Sequence, residues 1–416
     1  MAAVATEANE VPLLKDETGG LMWEEGIATI SFYKGDFQKA CDTLRAQLTT
    51  VVAANPWLVG RLVKSKTGTV LRHPVTPSDQ DVSSIFVSTS AKDEGVFQPK
   101  PSTPYIDMCT EMFKSKKVII GNGGTLVGKD NPLALLTLAE SEEGNFALIF
   151  SVSHVIADGR TYYEIFKMLQ PGAPVRPLDT TRIMSYSEDM RDLCGRKPLG
   201  WIDSPSTMCM FLPLMMGCGK KAKTYAFYLD DDKVAAAKAE KAREGGVQYV
   251  TTNDVITTGF FNEVNARIGV MGIDMRGRMD GIGQDLAGNY VSGLVVDPDT
   301  FATPASFRKM LSMTPYETVQ GPLPTCSRWF CGVEKVNFAM ISNWSSFAGD
   351  LITLDGSEMS IHLPVVNPAM VLWDNMIPFA CGGGKKGLLI TTISTDEDGL
   401  RSALPIGESI STELFP

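Results

Sequence analysis

Histidine is scarce in this chain: three in 416 residues, at His73, His154 and His362. Any imidazole chemistry near neutral pH must fall to one of these three. Long apolar runs are also missing, which excludes a membrane-spanning helix. Basic residues are in deficit, with 38 Lys and Arg against 48 Asp and Glu, a net charge of −10 and a pI near 5.0. A phosphate backbone needs clustered cations, so nucleic acid is excluded as a partner. The eight cysteines show no Cys-x-x-Cys spacing, and the pair Cys326 and Cys331 has no matching pair elsewhere. A zinc site is therefore not expected, nor any other metal, and the cysteines read as reduced packing thiols. Met1 to Gly20 has no stretch resembling a signal peptide, and Glu413 to Pro416 carries no address, so a cytoplasmic location is predicted. There is no Gly-x-Ser-x-Gly string for a nucleophilic serine and no repeat of 20 to 50 residues. Gly382-Gly383-Gly384-Lys385-Lys386-Gly387 lacks the spacing of a phosphate loop and reads as a hairpin turn.

Hydrophobic residues make up 44% of the chain and charged residues 21%, so a large core can form and disorder is not expected. Phe37, Ala40, Cys41, Leu44, Leu48, Val51 and Val52 recur at helical spacing between Asp36 and Ala54, and Asn55-Pro56 ends that helix. Pro132 to Glu140 and Phe146 to Ser153 read as two strands of a hairpin around Ser141 to Asn145. A helix follows from Arg160 to Gln170, so His154 sits where a core strand ends and a helix begins. Pro171 to Pro213 mixes proline, glycine, methionine and polar residues without a period and reads as a long crossover. Beyond it, helices are expected at Asp230 to Glu244, after the cap Thr251-Thr252-Asn253-Asp254, and from Thr303-Pro304. Strands are expected at Val336 to Met340 and Leu388 to Ser394, with a terminal helix from Asp396 to Ala403. This irregular alternation predicts two α/β units: an N-terminal domain over 1–175, a linker over 176–225 and a C-terminal domain over 226–416. Their interface is the favoured place for a ligand cleft.

His154-Val155-Ile156-Ala157-Asp158-Gly159 is a His-x-x-x-Asp-Gly string at the end of a buried strand. It resembles the signature of the chloramphenicol-acetyltransferase-like superfamily of CoA-dependent acyltransferases. That group includes the BAHD acyltransferases, alcohol acetyltransferases and the condensation domains of peptide synthetases. The motif lies about a third of the way along the chain, as in BAHD enzymes, rather than near the C-terminus. Further segments follow in the same order: Asn55-Pro56-Trp57-Leu58-Val59-Gly60-Arg61-Leu62, Thr251 to Asp254, Asp274-Met275-Arg276-Gly277-Arg278 with Gly288-Asn289-Tyr290, and Ser342-Asn343-Trp344. One family motif departs. Where BAHD enzymes have Asp-Phe-Gly-Trp-Gly, this chain has Leu354-Asp355-Gly356-Ser357-Glu358-Met359, which fits a divergent branch. Condensation domains carry a second histidine where Ser153 stands here.

The resemblance implies two α/β domains with mixed sheets and a central tunnel at their interface, acyl-CoA as co-substrate, no permanently bound cofactor, and a monomer. It implies that His154 is the general base, taking a proton from a small-molecule alcohol or amine and returning it to the leaving thiolate. Ser342 and Trp344 become candidate donors to the oxyanion. Asp158 is implied to point away from the cleft and pair with Arg276, which argues against a Ser-His-Asp triad. Gly159 lets the chain turn after the strand, and Asn289 supports the backbone or CoA. Lys220, Lys221, Lys223, Lys385 and Lys386 read mainly as solvated, with CoA phosphates as the alternative partner. His73 and His362 read as structural. Two rivals are a condensation-type enzyme using a carrier-bound donor and a catalytically silent binding relative.

Overall fold

Phe146 to Ser153 builds the strand Asn145–Val152, buried at every position. Phe146, Leu148, Phe150 and Val152 enter one apolar cluster, while Ala147 and Ile149 enter another. Both faces of the strand are covered, which is why its sequence is an unbroken apolar run instead of an alternating one. It pairs antiparallel with Ala134–Glu140, from Ala134 opposite Val152 to Glu140 opposite Phe146. Glu143 and Gly144 close this hairpin at φ 58° and 75°. The computed structural model describes residues 7–416 apart from 25, 67, 91–96, 116–117, 206, 208, 210–220, 325–336, 350, 369–372 and 412–413. Cys326, Cys331, Val336 and Lys220 lie outside the described residues.

Two large mixed sheets organise the chain. The first runs Ser357–Val365, Ile27–Gly35, Asn145–Val152, Ala134–Glu140, Phe86–Thr89. The second runs Val291–Val296, Ile268–Asp274, Phe338–Ile341, Asp374–Gly382, Lys385–Thr392, Lys223–Leu229, Ile406–Ser409. A small third sheet joins Ala8–Pro12, Gly68–Pro74 and Arg61–Ser65. Ala28, Ile30 and Phe32 of the first sheet share a core with Ile377, Phe379 and Leu389 of the second. The two sheets thus meet through an apolar seam, into which the helix Tyr105–Ser115 inserts Met108, Cys109 and Met112.

The expected helices form, and their caps explain their starts. Asp36 accepts from the Lys39 N–H at the head of Phe37–Ala54, satisfying a donor that the first turn leaves free. Thr251 and Asp254 bond reciprocally at the head of Thr252–Glu263, and Thr303 precedes Pro304–Leu311. Gly246, left-handed at φ 59°, closes Asp231–Gly245. The glycine-rich 382–384 turn joins Asp374–Gly382 to Lys385–Thr392 as a hairpin, with positive φ at all three glycines.

Two features differ from a simple linear plan. The crossover contains two short helices, Tyr186–Cys194 and Arg196–Ile202. The first buries Tyr186, Met190 and Cys194, a one-residue-per-turn stripe too narrow to stand out among the surrounding prolines and glycines. Ser357–Val365 falls within 226–416 yet completes the first sheet, antiparallel to Ile27–Gly35. A strand's apolar pattern says that it is buried, and does not say in which sheet.

Candidate active site

His154 leaves the sheet two residues after Asn145–Val152 ends, and Asp158 then caps the helix Gly159–Met168 by accepting from the Thr161 N–H at 2.8 Å. The imidazole is partly buried and reaches the wall of a cavity of about 460 Å³. Strands of both sheets line that cavity, through Ile27 and Val365 on one side and Val270, Ile341 and Ile377 on the other. It therefore lies at the seam between the two halves. Most of its lining is apolar, with His154, Ser342, Asn343, Asp274 and Asn375 among the polar groups.

Nδ1 of His154 faces Oδ1 of Asn289 at 3.2 Å. Burial holds the His154 pKa below the ordinary imidazole value, against the opposing pull of its own carbonyl, Asp158 and Asn289. The ring is thus neutral at neutral pH and able to accept a proton. Asn289 also donates to the His154 carbonyl at 2.8 Å, so it holds both the ring and the backbone of the residue it supports.

Asp158 turns away from the ring. Its Oδ2 accepts from Arg276 at 2.8 Å and from the Tyr290 N–H at 3.0 Å. The side chains of Arg276 and Asp158 are 1% and 3% exposed, so the structure brings the two together inside the protein. Burial alone would raise the Asp158 pKa. The Arg276 charge and its hydrogen bonds, with those from Thr161 and Tyr290, outweigh burial and hold it below the usual carboxylate value. A carboxylate so engaged has no free oxygen to orient the imidazole, and the geometry contains no triad.

Ser342 follows the strand Phe338–Ile341, and its N–H donates to the Met376 carbonyl at 3.1 Å. Its Oγ accepts from the Trp344 indole N–H at 3.0 Å. The indole has therefore spent its one donor on Ser342, and the serine hydroxyl keeps its own proton for another acceptor. Both residues line the cavity with His154. Gly159 corrects the reason expected for it. It is the first residue of its helix with φ outside the left-handed region, and a methyl there would meet Phe347 at 3.6 Å, an ordinary contact. The strained turn is Gly288, at φ 121°, where a methyl would lie 2.6 Å from Cζ of Arg182.

Sequence reasoning missed Glu17 and Arg182. Glu17 is fully buried, receives Arg182 Nε at 2.8 Å, and accepts from both the backbone and the side-chain amide of Asn289 at 3.0 and 3.2 Å. Nothing in Lys15-Asp16-Glu17-Thr18 marks it, because its partners lie 165 and 272 residues away. His362 and His73 stand away from the cavity wall. His362 is buried between Ser31 Oγ at 2.8 Å and the Tyr163 hydroxyl at 3.3 Å. His73 lies on Gly68–Pro74. Among the described residues no cluster of His, Cys, Asp and Glu could hold a metal, and no helix is long and apolar enough to cross a membrane.

Neither a protein-family model nor a curated protein matches this sequence. Solved structures match its fold. TRI101 of F. graminearum, complexed with coenzyme A and T-2 mycotoxin, aligns with a TM-score of 0.58 at 14% identity, over 95% of this chain and 97% of that one. The first condensation domain of the calcium-dependent antibiotic synthetase, bound to a substrate analogue, aligns at 0.55 with 11% identity, over 95% and 94%. Polyketide synthase associated protein 5 from Mycobacterium tuberculosis aligns at 0.55 with 14% identity, over 94% and 96%. The chain therefore shares its fold with these structures along nearly its whole length.

Proposed function

We propose that this protein is an acyltransferase that moves an acyl group from an acyl-CoA thioester to a hydroxyl, or an amine, of a small apolar acceptor. The observation that carries the reading is His154: a neutral imidazole, tied at Nδ1 to Asn289, on the wall of a mostly apolar cavity between the two halves. Nε2 takes the proton as the acceptor oxygen bonds to the thioester carbon. The tetrahedral intermediate then collapses, the carbon–sulfur bond breaks, and the imidazolium returns the proton to the thiolate to give ester and free thiol. Ser342 donates to the oxyanion, and Trp344 orients Ser342 by donating to its Oγ. Asp158, Arg276 and Asn289 hold this arrangement without touching the substrate. The 1–175, 176–225 and 226–416 division stays the working domain plan, with Ser357–Val365 crossing back.

A second reading has its own support, since the condensation-domain likeness fits a donor attached to a carrier protein. Donor exchange separates the two. We expect acceptor-dependent thiol release from free acyl-CoA in a panel of acyl-CoAs against mixed alcohols and amines, and its loss in His154→Ala by at least about 10²-fold. CoA binding should be nearly unchanged in that variant. Release only from a carrier-bound donor would favour the second reading, and near-normal turnover without His154 would overturn both.

A further inference from the structure

The Asn289 amide has one end surrounded only by acceptors. Its Nδ2 position lies 3.2 Å from Glu17 Oε1, 2.8 Å from the His154 carbonyl and 3.4 Å from the Val155 carbonyl. Only an NH₂ group fits there, so the other end, facing His154 Nδ1, must be the carbonyl oxygen. An amide oxygen only accepts, so Nδ1 must carry the ring proton, and the neutral ring presents a bare Nε2. The orientation of this amide, beside the pull of the ring's own carbonyl, thereby favours Nε2 as the base.

Glu17 is the charged part of that surround. Its Oε1 takes both the backbone and side-chain N–H groups of Asn289, and its Oε2 takes Leu14 N–H at 2.9 Å and Arg182 Nε at 2.8 Å. Both carboxylate oxygens are fully engaged, and Arg182 is pinned in turn by the Thr180 and Ala287 carbonyls. Gly288 admits the guanidinium where any side chain would collide with it. The carboxylate is thus fixed from three directions and acts as a template for Asn289.

We propose that Glu17, which makes no hydrogen bond to His154, is a positioning residue that fixes His154 in its Nδ1–H tautomer through Asn289. The kinetic arm of the test rests on the acyltransferase reading, while the spectroscopic arm needs no substrate. In Glu17→Gln, one side of the new amide must offer donors either to the donors of Asn289 or to Leu14 and Arg182. Asn289 then keeps only the His154 and Val155 carbonyls to hold its orientation, and the flipped amide becomes accessible. Glu17→Asp keeps a charge for Arg182 but withdraws it by one methylene from Asn289.

The experiment is ¹⁵N NMR of histidine-labelled protein at neutral pH, where three imidazoles give few signals and His154→Gln assigns the relevant pair. The wild type should show His154 as Nδ1–H, and each Glu17 variant should show a measurable Nε2–H population. With a working substrate, kcat should fall roughly tenfold at nearly constant KM. A wild-type His154 in the Nε2–H form would overturn the proposal. So would an unchanged Nδ1–H signal in both folded variants, or failure of both variants to fold, which would make Glu17 a purely structural partner of Arg182. A tautomer shift in a protein that releases no thiol from any acyl-CoA would leave this positioning role standing and sink the acyltransferase reading instead.

Discussion

Removing Asp158 or Arg276 tests whether the motif aspartate is structural, and the contacts set the size of the answer. Arg276 spends all five N–H groups: on Asp158, on Asp274 at 2.9 Å, on Thr161 Oγ1 at 2.9 Å, and on the carbonyls of Leu286 and Gly288. Breaking a buried ion pair typically costs about 3–5 kcal/mol because one charge is stranded. In Asp158→Ala the stranded guanidinium still faces Asp274, which is 17% exposed. That compensation puts the pair term near the lower end, about 3 kcal/mol, with about 1 kcal/mol more for the lost helix cap. In Arg276→Ala the Asp158 carboxylate keeps only the Thr161 and Tyr290 N–H groups, so about 3–4 kcal/mol is expected. The double variant strands neither partner and should fall short of the sum by about 2 kcal/mol, within the usual range for residues in contact. Urea unfolding of the four proteins of this cycle, followed by tryptophan fluorescence and circular dichroism, measures each term. Strictly additive losses, or a fully stable but inactive Asp158→Asn, would refute the structural pairing.

Three further outcomes are expected. Ser342→Ala should lower kcat by about 10²-fold with little change in KM, since an oxyanion donor acts in the transition state; a pure KM effect would limit Ser342 to substrate binding. The base must be neutral and burial lowers the His154 pKa, so kcat/KM should fall with acid through an inflection below the ordinary imidazole value of about 6.5. An inflection at or above that value would contradict the site's electrostatics. His362, pushed down to about 3 by burial, stays neutral in the folded protein while the unfolded chain protonates near 6.5. Its contribution is therefore complete above that pH and lost as pH falls towards 3, at a slope of up to about 1.4 kcal/mol per pH unit. Unfolding free energies measured against pH should show this slope in the wild type and lose it in His362→Gln; identical slopes would refute it.

Local physics made part of this molecule readable in advance. The hairpin around Gly144, the helix that begins after Asp36, the caps at Thr251 and Thr303, and the turn at 382–384 all follow from short-range rules, and each stands where the residues put it. His154 at a strand end is equally local. What could not be read is set by chain-distant pairing. Glu17 meets Arg182 and Asn289 across 165 and 272 residues, inside a segment whose acids look like ordinary surface charge. Ser357–Val365 joins a sheet whose other strands all lie before residue 153. The proposed division of labour between Ser342 and Trp344 depends on a single hydrogen bond that only the folded chain brings into range.

The proposed base and its supports come from different halves of the chain. His154 and Asp158 follow a strand of the first sheet, while Asn289 and Arg276 lie between Ile268–Asp274 and Val291–Val296 of the second. Ser342 and Trp344 also follow a strand of the second sheet. The proposed catalytic arrangement thus exists only when the halves are docked. An apolar seam gives that docking its affinity but tolerates small slips, because hydrophobic burial is non-directional. The buried pairs Glu17–Arg182 and Asp158–Arg276 are poor sources of net stability once desolvation is counted, yet they accept only one geometry. Their place in the fold is therefore best understood as register: apolar contacts hold the halves together, and the charged contacts decide where His154 stands relative to Ser342.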